Sequence, residues 1–250
     1  MVNTRVTLCG IELDNPIIPA SGTFGYGYEF AELYDINMLG TFSFKGTTRE
    51  ARFGNPTPRI AEYAGGLLNS VGLQNPGVDA VIAEELPKLG RVFHKPVMAN
   101  VSGFSVAEYA EVCERLAAQE QVGWLEVNIS CPNVHGGGAA FGAEPESAAQ
   151  VTRAVKAVTK KPVIMKLSPA AADIAAVARS CEDAGADGIS LINNQITEII
   201  TKNSNYSAWY CKANCKRCQY FFALFINKNK RQSNQYLNNC TYRSINRSIT

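Results

Sequence analysis

Short apolar segments alternate with longer amphipathic segments along the first 193 residues, and this alternation limits the folds that the chain can adopt. The apolar segments are rich in β-branched residues, as strands buried on both faces are. The longer segments carry apolar residues at helical spacing, with Gly or Pro near their ends. The predicted strands are 16–21, 41–46, 96–103, 124–130, 162–169 and 188–193, and the predicted helices are 105–120, 144–160 and 171–186. Repeated strand–helix units predict an α/β fold with a parallel sheet.

Polar residues at the ends of these strands decide between two parallel-sheet folds, a doubly wound sheet and a (β/α)8 TIM barrel. The residues at or near the carboxyl ends are Ser21, Lys45, Asn100, Asn128, Lys166 and Asn193. Any one of them alone could cap a helix or satisfy a loop. Six together are typical of a barrel whose active site lies at the carboxyl ends of the strands. We therefore predict a TIM barrel that is incomplete, with about six of its eight strands.

Composition indicates a cytoplasmic protein with reduced thiols. The chain has 250 residues, 46% of them hydrophobic, which is enough for a full core. It contains no apolar stretch of membrane-spanning length, and its first residues lack the pattern of a signal peptide. Eight cysteines in such a chain are by default reduced. Cys9, Cys113 and Cys181 lie in apolar surroundings and are expected to be packing residues.

Several common chemistries lack their sequence signals. There is no phosphate-binding loop of the G-x-x-x-x-G-K-[ST] type and no G-x-G-x-x-G after a strand. Only two histidines are present, so we expect no metal site in residues 1–193. His135 lies four residues after Cys131, but no cysteine-protease signature surrounds the pair. No predicted strand end carries Asp or Glu, which argues against hydrolysis by paired carboxylates.

The remaining polar residues suit a planar, hydrogen-bonding ligand. An asparagine offers one acceptor and two donors, so several around one pocket match a pyrimidine-like ring. A single cysteine is better suited to act as an acid or base than as a metal ligand. A lysine at a strand end supplies positive charge for an anionic ligand or a reduced flavin.

Seven motifs in the first 193 residues resemble the dihydroorotate dehydrogenase family. They are PIIPASGTFGYG (16–27), FKGTT (44–48), NSVGLQNPG (69–77), ANVSG (99–103), EVNISCPN (126–133), MKLSP (165–169) and ADGISLIN (186–193). The cysteine of NISCPN resembles the soluble class 1 enzymes. HGGGAAFG, which follows it, resembles class 1B, the NAD-linked catalytic subunits.

The resemblance implies the flavin-dependent oxidation of dihydroorotate to orotate in UMP biosynthesis. Cys131 would be the catalytic base that removes the C5 proton while hydride leaves C6 for N5 of FMN. The implied substrate-binding residues are Lys45, Asn69, Gly72, Leu73, Asn128, Asn133, Asn193 and Asn194. The implied FMN-binding residues are Ser21, Lys45, Gly46, Asn100, Asn128, Lys166 and Ile192. Gly72 would allow a close backbone approach, and Lys166 would stabilise the charge of reduced flavin.

The resemblance also implies a partner protein. FMN would be the cofactor of this chain, while NAD, FAD and a 2Fe–2S cluster would act through an iron–sulfur electron-transfer subunit. We expect a homodimer at the core of a heterotetramer. We expect no nucleic-acid partner and no membrane association.

Residues 194–250 differ in composition from residues 1–193. They contain 9 Lys and Arg residues against 1 acidic residue, ten of the asparagines, four of the cysteines and no glycine or proline. We therefore expect a truncated or frame-shifted barrel domain, 1–193, followed by a basic tail, 194–250, that is not a native domain. The resemblance calls for glycine-rich loops around the FMN phosphate after residue 193, so we expect this chain to bind FMN poorly or not at all.

Two other interpretations of the chain stay open. One is a non-catalytic barrel fragment that binds the flavoprotein partner, and the other is a basic, cysteine-rich binding module carried on an inert barrel. Cys211, Cys215 and Cys218 have the C-x3-C-x2-C spacing of a radical-SAM cluster. That motif follows the first strand of its own barrel, and no such barrel follows here. A flavin absorption spectrum of the purified protein separates the oxidoreductase from the alternatives.

Overall fold

The computed structural model describes residues 3–63, 66–130, 141–169 and 171–191, and the backbone of strands at 195–199, 208–213 and 226–227. The strands are β1 (Val6–Leu8), β2 (Ile11–Leu13), β3 (Ile60–Tyr63), β4 (Gly66–Asn69), β5 (Val97–Val101), β6 (Val122–Asn128), β7 (Val163–Lys166), β8 (Gly188–Ser190), β9 (Gln195–Ile199), β10 (Ala208–Ala213) and β11 (Ile226–Asn227). The helices are α1 (Ser21–Phe24), α2 (Tyr28–Ala31), α3 (Val78–Ala80), α4 (Leu86–Gly90), α5 (Val106–Ala117), α6 (Pro145–Val158) and α7 (Ile174–Asp183), with a 3-10 turn at Ile36–Met38 and a π-helical turn at Val81–Glu85.

A five-stranded sheet in the order β11-β8-β7-β6-β5 forms the centre of the structure. Strands β5 to β8 are parallel to one another, and each lies beside the next in chain order. Helix α5 connects β5 to β6, and α7 connects β7 to β8. The predicted α/β class with a parallel central sheet is therefore confirmed.

The segment 42–47 runs along the free side of β5, although it forms single bridges and no continuous strand. The amide of Phe44 donates to the carbonyl oxygen of Met98 at 3.0 Å, and that of Thr47 to Asn100 at 2.9 Å. Ser43 and Met98 form a parallel bridge. The segment predicted as the second strand thus lies where a neighbour of β5 belongs.

The predicted strand at 16–21 is wrong. Its residues form no strand, and Ser21 begins α1. Pro16 and Pro19 lack a backbone N–H, so this segment can accept hydrogen bonds but cannot donate a full ladder. The carbonyl oxygen of Pro19 accepts from the amide of Ser43 at 3.0 Å. The segment therefore lies beside 42–47 without being a strand.

Three amphipathic helices, α5, α6 and α7, cover one face of the sheet, as the sequence predicts. Helix α5 begins after Ser105, whose hydroxyl accepts from the amide of Glu108 at 3.1 Å. Helix α7 begins after Asp173, whose carboxylate accepts from the amide of Ala176 at 2.9 Å. Such caps satisfy amides that the first helical turn leaves without partners. The helices are shorter at their ends than the predicted 105–120, 144–160 and 171–186.

The two faces of the sheet bury different side chains, because successive residues of a strand point to opposite faces. Leu125 and Val127 of β6 pack in the same cluster as residues of α5 and α6. On the other face Trp124 packs with Met98 and Ile164 against the β1–β2 hairpin. Its indole nitrogen donates to the carbonyl oxygen of Leu8 at 3.1 Å. This second face is apolar near the amino ends of the strands and polar toward their carboxyl ends.

The strands described after residue 194 are all paired antiparallel. β9 and β10 join β3 and β4 in a second sheet of order β3-β4-β10-β9, and β11 pairs with β8. They do not continue the parallel order of β5 to β8. In the part of the chain that the structure describes, no helix is long and apolar enough to cross a bilayer.

The prediction that Cys113 and Cys181 are packing residues is confirmed, since both are buried in the main core cluster. Cys9 lies in the turn between β1 and β2 and is only partly buried. Its Sγ lies 3.3 Å from the carbonyl oxygen of Asp187. Burial, reinforced by the charge of Asp187, raises the pKa of the Cys9 thiol to about 11. Burial also raises the pKa of Cys181 to about 11. These thiols are therefore protonated at neutral pH.

Candidate active site

A buried carboxylate, that of Glu126, lies among polar side chains on the face of the parallel sheet that carries Trp124. This face, opposite the helices, is called the inner face below. Its side chain is 2% exposed. Oε2 accepts from the Ser43 hydroxyl at 2.7 Å and from Nδ2 of Asn100 at 2.6 Å. Oε1 accepts from the Ser190 hydroxyl at 2.7 Å. The Nζ atom of Lys166 lies 3.7 Å from Oε2. One side chain of β6 thereby joins 42–47, β5, β7 and β8.

The surroundings of Glu126 hold it in its charged form. Burial alone would raise the pKa of the carboxyl, because it removes water from the charge. The positive charge of Lys166 and the hydrogen bonds from Ser43, Ser190 and Asn100 outweigh this, and the pKa lies below its ordinary value of 4.5. The group is therefore an anion at neutral pH and can only accept hydrogen bonds.

The anionic state of Glu126 determines which way the Asn100 amide faces. Because the carboxylate cannot donate, the atom of Asn100 beside it is the NH2 nitrogen, and Oδ1 points to the other side. Oδ1 is buried and has no hydrogen-bond partner among the described residues. A carbonyl oxygen is thus presented toward Gly46, where a Cβ atom would lie 2.7 Å from it.

Two further side chains lie close to Gly46. A Cβ at Gly46 would lie 3.2 Å from Cδ1 of Leu73 and 3.5 Å from the hydroxyl of Ser102. The Ser102 hydroxyl is also buried without a hydrogen-bond partner in the described parts of the chain. Two unpaired acceptors therefore face the backbone of Gly46, beside the predicted ligand-binding loop at 69–73.

That loop has a strained backbone, which a second loop supports. Gly72 has a φ of +75° and Leu73 a φ of +59°, the left-handed region that L side chains rarely adopt. Asn55 binds the loop through its side chain, which donates to the carbonyl and hydroxyl oxygens of Ser70 at 3.0 Å. A Cβ at Gly72 would lie 2.6 Å from Cγ of Asn55. Two features therefore require glycine at position 72: its positive φ and its close contact with Asn55.

Asn128 is fixed at the last position of β6, directly before the segment that carries Cys131. Its Oδ1 accepts from the amide of Ser130 at 3.1 Å. Its backbone carbonyl accepts from the hydroxyl of Tyr109 in α5 at 2.8 Å. In the sheet Asn128 lies beside Lys166. The helix layer therefore anchors the carboxyl end of β6.

The structure brings together part of the predicted site. Asn100 and Lys166 meet at Glu126, and Gly46 and Leu73 meet beside Asn100. Lys45 lies next to Gly46, with its amide donating to the carbonyl of Gly25 at 2.8 Å. Asn69 ends β4 in the second sheet, and Ser21 is buried at the start of α1. The remaining predicted site residues lie outside the described residues: Cys131, Asn133, Ile192, Asn193 and Asn194.

Sequence reasoning missed Glu126, together with its partners Ser43 and Ser190. A signal was present, because Trp124, Glu126 and Asn128 alternate with Leu125 and Val127. A period of two places Glu126 on the same face as Asn128. An acidic residue inside an otherwise apolar strand predicts a buried, paired charge. Among the described residues, no group of three or more His, Cys, Asp or Glu side chains could hold a metal ion.

Comparison with known proteins identifies the family of this chain. Residues 3–209 match the family model described as dihydroorotate dehydrogenase. The chain is 56% identical over 196 residues to the protein named dihydroorotate dehydrogenase B (NAD(+)), catalytic subunit, of Anoxybacillus flavithermus. It is 54% identical over 196 residues to the protein of that name from Geobacillus kaustophilus. Each alignment covers 78% of this chain and 62% of the relative, so the chain spans less than two thirds of their length. The chain belongs to the dihydroorotate dehydrogenase family.

Proposed function

We propose that this chain oxidises dihydroorotate to orotate in pyrimidine biosynthesis. The observation that carries the proposal is the buried polar cluster of Asn100, Glu126 and Lys166 on the inner face of the parallel sheet. A parallel sheet that collects polar side chains toward the carboxyl ends of its strands is the usual setting of an active site. Membership of the family supplies the reaction.

We further propose that the parallel sheet is part of a TIM barrel. Strands β5 to β8 follow one another in chain order, whereas a doubly wound sheet reverses its order at a switch point. The position of 42–47 beside β5 extends the same order by one place. The inner face has an apolar layer with a polar layer above it, as barrel interiors do.

The described residues fit FMN as the cofactor. Oδ1 of Asn100 is a buried acceptor without a partner in the described chain, which suits a ring N–H donor. Gly46 lacks a Cβ, and this absence lets Oδ1 of Asn100 lie close to its backbone. FMN, when bound, accepts the hydride from C6 of dihydroorotate. The residues proposed to hold it are Ser21, Lys45, Gly46, Asn100, Asn128, Lys166 and Ile192.

The residues of this chain bind the substrate and take up its proton. Asparagine amides pair with the alternating N–H and C=O groups of the pyrimidine ring. The proposed substrate contacts are Lys45, Asn69, Gly72, Leu73, Asn128, Asn133, Asn193 and Asn194. Cys131, as the thiolate, accepts the C5 proton and becomes the thiol. An ordinary cysteine is only a few per cent thiolate at neutral pH.

We propose that a second subunit passes the electrons on. The relatives are named catalytic subunits of NAD(+)-linked enzymes, which implies a partner for those proteins. For this chain we propose an iron–sulfur, FAD-containing subunit bound to a homodimer. NAD then acts at the partner and not at the site described above.

The binding of orotate tests the proposal. Asn128→Ala removes an amide at the end of β6 and is expected to weaken orotate binding by about 1–3 kcal/mol, roughly 5- to 150-fold. Asn3→Ala is the control, because Asn3 is exposed near the amino terminus. Calorimetric titration of the three proteins gives the affinities. An unchanged affinity in Asn128→Ala, or no orotate binding by the wild-type chain, would contradict the proposal.

A further inference from the structure

Glu126 is the most enclosed charge of the site, and the reaction proposed above gives it no role. Both of its oxygens accept hydrogen bonds, from Ser43 and Asn100 on one side and Ser190 on the other. Its side chain is 2% exposed and both oxygens are engaged, so it offers a substrate no free oxygen to accept a proton. Glu126 is therefore not a second acid or base of the reaction.

A purely structural ion pair does not account for the arrangement either. Replacing a buried ion pair by apolar residues is often neutral or stabilising, so stability alone does not require one here. The pair also leaves Oδ1 of Asn100 buried without a partner in the described chain. Burying an acceptor without a partner costs free energy. A fold that needed only stability would be better served by a side chain without this unpaired oxygen.

We propose that Glu126 is a positioning residue: it turns the Asn100 amide so that Oδ1 points away from the carboxylate, toward Gly46, and it holds Lys166 beside that amide. The identification of the flavin ring as the ligand for which they are positioned rests on the proposed function. The orientation of Asn100 does not depend on the proposed function: it rests on the bond from Nδ2 to Oε2 of Glu126 and on the charge of Lys166 beside that carboxylate. Glu126 acts through these two side chains and does not touch the ligand.

The variant Glu126→Gln removes the charge and keeps the shape of the side chain. A glutamine carries its own NH2 group, which can donate to Oδ1 of Asn100, so the Asn100 amide is free to turn over. Lys166 loses its counter-charge at the same time. Thr152→Val is the matched control, because it removes another buried hydrogen bond, from Thr152 to the carbonyl of Ala148 in α6, away from the site.

Two measurements on the full chain separate orientation from ligand binding. The first is the side-chain amide resonance of Asn100 in 15N-labelled protein without flavin, assigned by its loss in Asn100→Ala. The second is the affinity for riboflavin and for FMN, measured by fluorescence titration. A shifted Asn100 resonance and at least a tenfold loss of affinity for both flavins are expected in Glu126→Gln. Thr152→Val is expected to leave both at the wild-type values.

Each outcome decides one of the two proposals. An unshifted Asn100 resonance in Glu126→Gln would overturn the positioning role. A shifted resonance with unchanged flavin affinity would also overturn it, because the orientation would then serve no flavin. If the wild-type chain binds neither flavin, the proposed function fails, while the resonance still decides the orientation. If Glu126→Gln does not fold, Glu126→Asp takes its place, because its carboxylate is one methylene further from Asn100 and Lys166. It is expected to give the same two changes. Wild-type values for both measurements in Glu126→Asp would reject the positioning role.

Discussion

The Nδ2 atom of Asn100 lies 2.6 Å from Oε2 of Glu126, a hydrogen bond between neighbouring strands that is enclosed on all sides. It fixes the direction of the Asn100 carbonyl and, through the same carboxylate, the place of Lys166. The polar end of the inner face is therefore one connected unit. Changes in any of its members are expected to affect the others.

The charge of Glu126 makes stability depend on pH. Its pKa is lower in the folded chain than the ordinary value of 4.5, so the folded state favours the anion and the unfolded state binds protons more readily. The stabilisation is fully present above pH 4.5 and is lost as the pH falls through the folded pKa. Glu126→Gln is expected to lose about 3–5 kcal/mol of unfolding free energy at neutral pH. In urea unfolding the gap to wild type should narrow on acidification, and a gap that stays constant would contradict this assignment.

Gly72→Ala is expected to destabilise the loop at 69–73. The new Cβ would lie 2.6 Å from Cγ of Asn55, at a φ of +75° that alanine rarely adopts. Such strain costs roughly 1–3 kcal/mol. Gly22→Ala is the control, because a Cβ there meets nothing within 4 Å. Thermal unfolding and orotate titration of both variants test the prediction. Equal stability and equal orotate affinity in the two would show that the loop tolerates a side chain.

Gly46→Ala is expected to block flavin binding more than it affects folding. The added methyl group would lie 2.7 Å from Oδ1 of Asn100 and 3.2 Å from Cδ1 of Leu73, so it would push aside the acceptor proposed to bind the flavin. Gly90→Ala, where the nearest atom belongs to Gln121 at 3.6 Å, is the control. Riboflavin titration with circular dichroism on the same samples gives both quantities. Undiminished riboflavin affinity in a folded Gly46→Ala protein would place the flavin elsewhere.

The sequence predicted the parallel sheet, its three covering helices and the positions of Asn100 and Lys166, because periodicity and strand ends are local properties. It failed at 16–21, where β-branched residues suggested a strand but Pro16 and Pro19 prevent a ladder. It also missed Glu126, because the site prediction used residues at strand ends, and Glu126 lies inside β6. The strain at Leu73 and the contact between Asn55 and Gly72 depend on two loops distant in sequence, so no local pattern predicts them.

The composition of residues 194–250 predicts a weak hold on the FMN phosphate. Close backbone approach to phosphate needs glycine, and these residues contain none. The chain is therefore expected to bind FMN and riboflavin with affinities within about a factor of three, less than 1 kcal/mol apart. A hybrid that carries the corresponding part of the Anoxybacillus flavithermus relative after residue 193 is the control and is expected to prefer FMN. A strong preference for FMN by the chain itself would show that the tail holds the phosphate.

Anaerobic reduction of bound flavin by dihydroorotate tests the central claim most directly. With FMN in excess, dihydroorotate should bleach the absorbance of the flavin bound to the chain. One orotate should form for each flavin that is reduced. Cys131→Ala should bind flavin as the wild type does and slow the bleaching by about 10²–10⁴-fold, the usual contribution of a positioned base. Cys131→Ser should recover part of the rate at raised pH. Flavin that binds but is not reduced by dihydroorotate, or a Cys131→Ala protein that reacts at the wild-type rate, would contradict the account.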